Sequence, residues 1–175
     1  GMAGVLDSLR FKYFLSQELD ISYNSIHAMV LGGHGDTMVP LLNHVSINGI
    51  SVNEFIRNGI ITLDQLEEVI KKTRNGGGEI VSLLKNASAF YSPAASALEM
   101  IESYLYNQKK LLACSTFLEG EYGVNDLFVG VPVIIGKKGV EKILELDFKE
   151  SEKNEFENSV LSVKELTQKC KKLLV

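Results

Sequence analysis

The spacing of apolar residues along the chain predicts where its helices lie. From Val5 to Leu19 apolar side chains recur at helical intervals between charged and polar ones, which predicts a helix. Residues 63–85 carry two helical patterns around three glycines, so we expect a kinked helix or two abutting helices. Further helices are predicted over Ala94–Tyr106 and over a closing amphipathic segment of about residues 150–174.

Shorter apolar runs between these helices predict strands. The runs are His27–Leu31, Leu41–Ile47, Ile50–Val52, Leu111–Leu118, Leu127–Ile135 and Ile143–Leu146. The dipeptide Asn48-Gly49 predicts a tight hairpin between the second and third of them. Helices and hairpins are mixed without regular strand–helix alternation. The pattern therefore predicts an α+β fold, with antiparallel strands and hairpins packed with long helices, and disfavours a doubly wound parallel sheet.

Composition and charge narrow the class of protein further. The chain has 175 residues, 45% of them hydrophobic, which suits a single domain spanning residues 1–175. Its 18 basic residues against 22 acidic ones give no basic excess, so nucleic acid and anionic membranes are not expected as partners. No apolar stretch has the length of a membrane span. Cys114 and Cys170 are too few for a disulfide framework and too far apart for a metal site, which favours a cytoplasmic protein without a metal.

A histidine between glycines is the first candidate for chemistry. In Gly32-Gly33-His34-Gly35-Asp36 the imidazole follows a predicted strand, where it could face a cleft and exchange protons. On these five residues alone, a histidine satisfied inside a glycine turn is the favoured interpretation. His27 and His44 have no recognisable carboxylate or metal partner by spacing, so we expect packing or solvation for both.

Asp7 and Arg10 form the second candidate. A spacing of three residues places both side chains on one face of the first predicted helix. A surface ion pair explains that spacing without any function. Both residues lie among apolar ones, however, so a pair that faces the core or a cleft is the alternative.

One reaction would use both features. A carboxylate bonded to one imidazole nitrogen fixes the tautomer and leaves the other nitrogen as a general acid or base near neutral pH. Asp7 could be that carboxylate and His34 the proton carrier. The Arg10 guanidinium could hold a substrate carboxylate through two parallel hydrogen bonds. The three residues thus permit a reaction on a small 2-hydroxy or 2-oxo acid.

Longer stretches carry a resemblance to a known family. Gly1–Phe11 resembles the catalytic helix of the lactate/malate dehydrogenase family, and Gly32–Asp36 is similar to its active-site histidine motif. Four other stretches resemble the lactate-dehydrogenase-like malate dehydrogenases of bacteria in particular: Arg74–Val81, Ser92–Ala97, Glu119–Gly123 and Val129–Val133. The similarity covers essentially the whole chain.

The resemblance implies a role for each candidate residue. His34 would be the catalytic proton donor and acceptor, Asp7 its orienting partner, and Arg10 the clamp on the substrate carboxylate. The implied reaction interconverts malate and oxaloacetate by hydride transfer with NAD. The turn at Ser92–Ala95 would form part of the pocket wall, and a homo-dimer or homo-tetramer is expected.

The resemblance also implies a second domain. The family places an NAD-binding Rossmann domain first, and its glycine fingerprint does not occur in this sequence, since Gly76–Gly78 has the wrong spacing. We therefore expect the chain to be the C-terminal substrate domain, without the Rossmann half and inactive by itself. The alternatives are a fragment of a lactate dehydrogenase and a noncatalytic oligomerisation module.

Overall fold

The computed structural model describes residues 1–173 and contains five α-helices and eight strands in that range. The helices are α1 (Asp7–Leu19), α2 (Val52–Arg57), α3 (Leu63–Leu84), α4 (Tyr91–Leu105) and α5 (Glu150–Leu173). The strands are β1 (Ile26–His27), β2 (Val30–Leu31), β3 (Val39–Pro40), β4 (Ser46–Ile47), β5 (Ile50–Ser51), β6 (Lys110–Glu119), β7 (Asn125–Gly136) and β8 (Gly139–Ile143). Leu174, the predicted last residue of the closing helix, lies outside the described residues.

A long antiparallel hairpin is the centre of the fold. Strands β6 and β7 pair along their whole length, and β8 adds to the far side of β7, which gives the order β6-β7-β8. Because β7 is the middle strand and also contacts α4, α5 and β2, nearly all of its second half is buried. Two smaller antiparallel sheets, β1-β4-β5 and β2-β3, complete the strands of the described range. The predicted α+β class with antiparallel strands is confirmed.

The hairpin predicted at Asn48-Gly49 is confirmed. Ile47 pairs with Ile50 across it, and the two turn residues have φ values of 47° and 84°. Positive φ at both central positions is the requirement of the tight hairpin turn that an Asn-Gly dipeptide favours.

Two of the predicted strands are wrong in part. In the Leu41–Ile47 run only the last two residues form a strand, while Leu42–His44 form a short 3₁₀ turn. The His27–Leu31 run is broken, because β1 pairs with β4 whereas β2 pairs with β3. Buried irregular segments are as apolar as buried strands, so apolar runs could not reveal where a segment changes its pairing partner.

Two other boundaries differ from the prediction. The predicted strand Ile143–Leu146 is wrong over most of its length, since β8 covers Gly139–Ile143. A turn of only two residues connects β7 to β8. Because β8 lies at the edge of the sheet and is largely exposed, it contains polar residues, and a search for apolar runs did not find it. Helix α3 runs through its glycines as one helix of 22 residues, with a capping box from Thr62 and Gln65 at its start.

Buried apolar side chains form two clusters on either side of the start of α1. One lies between the β6-β7-β8 sheet and α5, with Leu31, Val39, Leu118, Val131 and Phe156 among its members. The other lies between α1 and α3, with Phe11, Leu15, Ile26, Leu66 and Val69 among its members. Within residues 1–173 no helix is long and apolar enough to cross a membrane.

Candidate active site

The position of Asp7 is set by a tight turn that presses against β6. Residues 2–6 form an irregular turn whose backbone is not helical at Ala3 and Gly4, and Gly4 has a φ of 136°. A Cβ atom on Gly4 would overlap the carbonyl oxygen of Ala113 in β6, so only glycine lets the turn come this close. Helix α1 begins directly afterwards, and its first residue, Asp7, has a side chain that is 0% exposed.

The position of His34 is set by glycines on both sides of it. Gly32 forms two backbone hydrogen bonds with Gly130 of β7, its N–H donating at 2.8 Å and its carbonyl accepting at 2.9 Å. The φ values of 83° at Gly32 and 103° at Gly35 then turn the chain sharply before and after the histidine. The loop therefore leaves the sheet next to the start of α1.

The two side chains meet as an imidazole–carboxylate pair. His34 Nδ1 lies 3.0 Å from Oδ2 and 3.1 Å from Oδ1 of Asp7. Because Nδ1–H donates to the carboxylate, Nε2 is left to exchange a proton with a ligand, and the histidine side chain is 40% exposed. The hydrogen bond to Asp7 raises the pKa of His34 above its ordinary value, while partial burial and the charge of Arg10 act in the opposite direction.

Arg10 lies beside this pair on the next turn of α1. Its Nη1 is 3.9 Å from Asp7 Oδ1, and its side chain is only 12% exposed. The predicted surface ion pair is therefore the wrong interpretation of the Asp7 and Arg10 spacing, and the inward-facing alternative is correct.

The glycines of α3 make room for the Arg10 side chain. A Cβ atom on Gly76 would lie 2.8 Å from Arg10 Cδ and 3.1 Å from Nε, while one on Gly77 would lie 3.6 Å from Nη1. Glycine in a helix interior destabilises the helix by roughly 1 kcal/mol relative to alanine. The close approach of Arg10 explains why α3 contains glycine at these positions. This supporting role was missed in the sequence, although three consecutive glycines inside a helical pattern were the signal for it.

His34 and Arg10 open onto the same cavity, which has a volume of about 380 Å³. Met2, Leu6 and Pro93 give it an apolar wall, and Gly77 and Gly78 form another part of the lining. The stretch Ser92–Ala95, predicted to be a turn in the pocket wall, lies in the first turn of helix α4, and Pro93 is its residue that lines this cavity. The cavity thus combines one proton carrier, the two guanidinium groups of Arg10 and Arg74, and an apolar wall.

A second cavity of about 490 Å³ lies away from His34. Its lining is largely apolar and includes His27, His44, Lys12 and Glu99. Within the described part of the chain, no group of three or more histidine, cysteine and acidic side chains is placed to hold a metal ion.

Comparison with known proteins identifies the fold and the motifs together. The family model of the lactate/malate dehydrogenase alpha/beta C-terminal domain matches residues 4–174. The chain belongs to this family. The malate dehydrogenase of Ehrlichia chaffeensis is 56% identical to this family member over 166 residues, which is 95% of the chain and 53% of the relative. The resemblance seen in the sequence is thereby confirmed.

Solved structures of the family agree closely with this domain. The malate dehydrogenase of Cryptosporidium parvum superposes with a TM-score of 0.96 at 51% identity, covering 98% of this chain and 55% of the other. The lactate dehydrogenase of Eimeria maxima, solved with NADH and oxamate, has a TM-score of 0.93 at 43% identity, covering 97% of this chain and 51% of the other. The chain spans about half the length of the relatives that it matches.

Proposed function

We propose that the chain is the substrate-binding and catalytic domain of an NAD-dependent malate dehydrogenase. The observation that carries this proposal is the His34–Asp7 pair, which opens onto one cavity together with the Arg10 guanidinium. The malate dehydrogenases among its relatives, at 56% and 51% identity, support the choice of reaction.

His34 is the proton carrier in this proposal. In malate oxidation the hydroxyl proton moves to Nε2 as the C–H bond on the same carbon breaks, and the carbonyl of oxaloacetate forms. The imidazolium that results is stabilised by the buried Asp7 carboxylate at 3.0 Å. In the reverse direction Nε2 returns the proton to the carbonyl oxygen.

Arg10 holds the carboxylate next to the reacting carbon. A guanidinium binds a carboxylate through two parallel N–H···O hydrogen bonds, which fixes the direction of the bound acid. Because Arg10 is largely shielded from water, these hydrogen bonds are stronger than on an open surface. The reacting hydroxyl is thereby directed towards His34.

In this proposal the cavity binds only the nicotinamide end of NAD. Met2, Leu6 and Pro93 form an apolar wall beside His34, against which a planar nicotinamide ring could pack. When bound, NAD would accept the hydride that leaves the malate carbon. A glycine-rich phosphate-binding turn is missing among residues 1–173, where Gly76–Gly78 lie inside α3. We propose that the phosphates bind to an N-terminal Rossmann domain.

Turnover in one- and two-domain forms tests this function. We expect the 175-residue chain to show no oxidation of malate with NAD, whereas a chimera that adds the N-terminal half of the Ehrlichia chaffeensis relative should be active. Activity of the chain alone would contradict the proposed division of labour. Inactivity of a folded chimera that binds NADH would contradict the proposed reaction.

Lactate is the competing substrate, since the Eimeria maxima neighbour is a lactate dehydrogenase. That protein is 43% identical to the chain, and the malate dehydrogenase of Plasmodium falciparum is 40% identical. The higher identities, 56% and 51%, belong to two malate dehydrogenases, and they favour malate. Rates of the intact two-domain protein, in which the chain is joined to its own N-terminal half, should be measured with oxaloacetate and with pyruvate. Faster reduction of pyruvate would overturn the assignment to malate.

Self-association is also part of the proposal. Helix α4 exposes a row of apolar side chains, comprising Leu98, Ile101 and Leu105, each of them about half exposed or more. An exposed apolar row of this kind is typical of a contact between subunits. Light scattering on the chimera should give the mass of a homo-dimer or homo-tetramer, and a monomer at all concentrations would contradict this.

A further inference from the structure

Helix α5 contacts the loop that carries His34 and the chain just after it. Glu152, Glu155 and Ser159 follow one another at spacings of three and four residues, which places them on one face of α5. Each of them makes a hydrogen bond to this part of the chain, directly or through Arg74 of α3. The helix therefore lies along the loop rather than touching it at one point.

Ser159 fixes the beginning of the His34 loop. Its side chain is 0% exposed, and its Oγ accepts a hydrogen bond from the Gly33 N–H at 2.8 Å. The packing at this point is tight, because a Cβ on Gly32 would overlap the Ser159 hydroxyl and one on Gly33 would lie 2.9 Å from Val163 Cγ2. The backbone immediately before His34 thus lies directly on α5.

Arg74 and Glu155 fix the end of the same loop. Arg74 donates to the Met38 carbonyl oxygen from Nη2 at 3.1 Å and from Nε at 3.4 Å. Nη2 also lies 3.1 Å from Glu155 Oε2, so α5 orients the guanidinium. Glu155 is 53% exposed, and solvent weakens such an ion pair, which makes this the weaker of the two anchors.

Glu152 extends the contact beyond the loop. Its side chain is buried, and Oε1 accepts a hydrogen bond from the Asn43 N–H at 3.2 Å. By contrast, the His34 side chain itself has hydrogen bonds only to Asp7 among the described residues. The orientation of the imidazole therefore depends on where the two ends of its loop are held.

We propose that α5 positions His34 by holding both ends of segment Gly33–Met38, with Ser159 as the main positioning residue and the Arg74–Glu155 pair as the second. This inference rests on the proposed function of His34 and extends it to residues that do not touch the reacting atoms. Displacement of the loop lengthens the bond between Nδ1 and Asp7 and turns Nε2 away from the cavity.

The inference is tested on the 175-residue chain by NMR titration of His34. In Ser159→Ala the Gly33 N–H loses its acceptor, so the pKa of His34 should fall by about half a pH unit towards its ordinary value. Hydrogen exchange at the Gly33 amide should accelerate about tenfold or more. The matched control is Ser162→Ala, which removes a hydroxyl from the same helix that bonds only to the Asn158 carbonyl. It should change neither quantity.

A second variant keeps the test decisive if Ser159→Ala fails to fold. Arg74→Lys keeps the positive charge beside the cavity that His34 lines but loses the planar guanidinium that donates twice to the Met38 carbonyl oxygen, and it should lower the pKa of His34 by a smaller amount. An unchanged titration of His34 in a folded Ser159→Ala chain would overturn the proposal. If only Arg74→Lys folds, an unchanged titration there has the same consequence.

Turnover of the chimera separates this inference from the function on which it rests. Ser159→Ala should lower kcat about tenfold while KM changes less than about threefold, because the cavity and Arg10 stay in place. The acid limb of the pH profile should move to lower pH with the pKa of His34. Normal turnover of a His34 variant would contradict the proposed function but leave the NMR result standing. Loss of turnover in that variant, with an unaltered Ser159→Ala titration, would overturn the positioning role alone.

Discussion

His34 Nδ1 lies 3.0 Å and 3.1 Å from the two carboxylate oxygens of Asp7, and only one of these two residues touches solvent. Asp7 is completely buried, whereas His34 is 40% exposed. A buried carboxylate is unfavourable without a partner, so the fold itself favours the histidine in this orientation. One ring nitrogen is thereby committed to the protein and the other is available to a ligand.

Substitution of Asp7 by asparagine should lower the pKa of His34. The hydrogen bond to the carboxylate is the largest cause that raises this pKa, and the amide removes both the charge and one acceptor. NMR titration of the 175-residue chain measures the change. Asp64→Asn, at an exposed position in the first turn of α3, is the control and should leave His34 unaffected. An identical His34 titration in Asp7→Asn would contradict the pairing.

The same pair should make stability depend on pH in a defined window. Because the pKa of His34 is higher in the folded chain than in the unfolded one, protonation favours folding. The stabilising contribution is complete below about pH 6.5, the ordinary value for histidine, and is lost as pH rises through the folded pKa. Urea unfolding between pH 6 and 8.5 should show this decline for the wild-type chain and a smaller one for His34→Gln. Equal declines in both proteins would exclude the linkage.

Replacement of His34 by asparagine should abolish most turnover in the chimera. General acid–base catalysis by a positioned side chain contributes roughly 10²- to 10⁴-fold to a rate, and the amide cannot carry the proton. Steady-state kinetics with malate and NAD should therefore show a loss of that order in kcat. His27→Asn, which alters a histidine of the other cavity, is the control and should retain activity. A rate within a few-fold of wild type for His34→Asn would exclude proton transfer by this residue.

Arg10→Lys should damage substrate binding more than the chemistry. Lysine keeps the charge but cannot form two parallel hydrogen bonds, and charge-assisted hydrogen bonds contribute about 1.5–3 kcal/mol each. Loss of one of them predicts a decrease of about ten- to a hundredfold in kcat/KM, mostly through KM. Arg57→Lys, at an exposed ion pair of α2, should have no effect. A KM equal to that of wild type would exclude the clamp.

Two alanine substitutions in α3 should differ in their effect on stability. Alanine is favoured over glycine in a helix by roughly 1 kcal/mol, and a Cβ on Gly78 meets nothing within 4 Å, so Gly78→Ala should stabilise the chain by that amount. In Gly76→Ala the new methyl group displaces Arg10, which cancels the gain and raises KM. Urea unfolding and kinetics of the two variants check both effects. Equal stabilisation by both substitutions would show that Arg10 does not need the space.

The pairing of Asp7 with His34 was predicted from two motifs together with the family resemblance, but the residues that support the pair were not predicted. Asp7 and His34 are 27 residues apart, and their motifs carried both the chemistry and the family resemblance. Ser159 is 126 residues from Gly33, and nothing around a serine in an amphipathic helix indicates which amide it will accept. The glycines of α3 did give a signal, since helix-breaking residues inside a helical pattern are costly unless something packs on them.

In the fold, too, elements with a long local pattern were predicted better than elements that depend on distant partners. The four long helices and the long strands β6 and β7 were predicted to within a few residues, because their periodic patterns extend over many positions. The six-residue helix α2 was not predicted, and its first residue, Val52, was assigned to a strand. The short strands around Leu41 were predicted poorly, since each is only two residues long and depends on a partner elsewhere in the chain. Pairing of this kind follows from tertiary structure and not from propensity.

The hydrogen bond from Gly33 to Ser159 also has a consequence for the order in which the site forms during synthesis. A ribosome makes this chain from its N-terminus, so Asp7 and His34 emerge long before the helix that anchors their loop. A nascent or prematurely terminated chain would carry the imidazole and the carboxylate without that anchor. Completion of the last helix is then the step that anchors the His34 loop, and an unfinished translation product would contain Asp7, Arg10 and His34 with that loop unanchored.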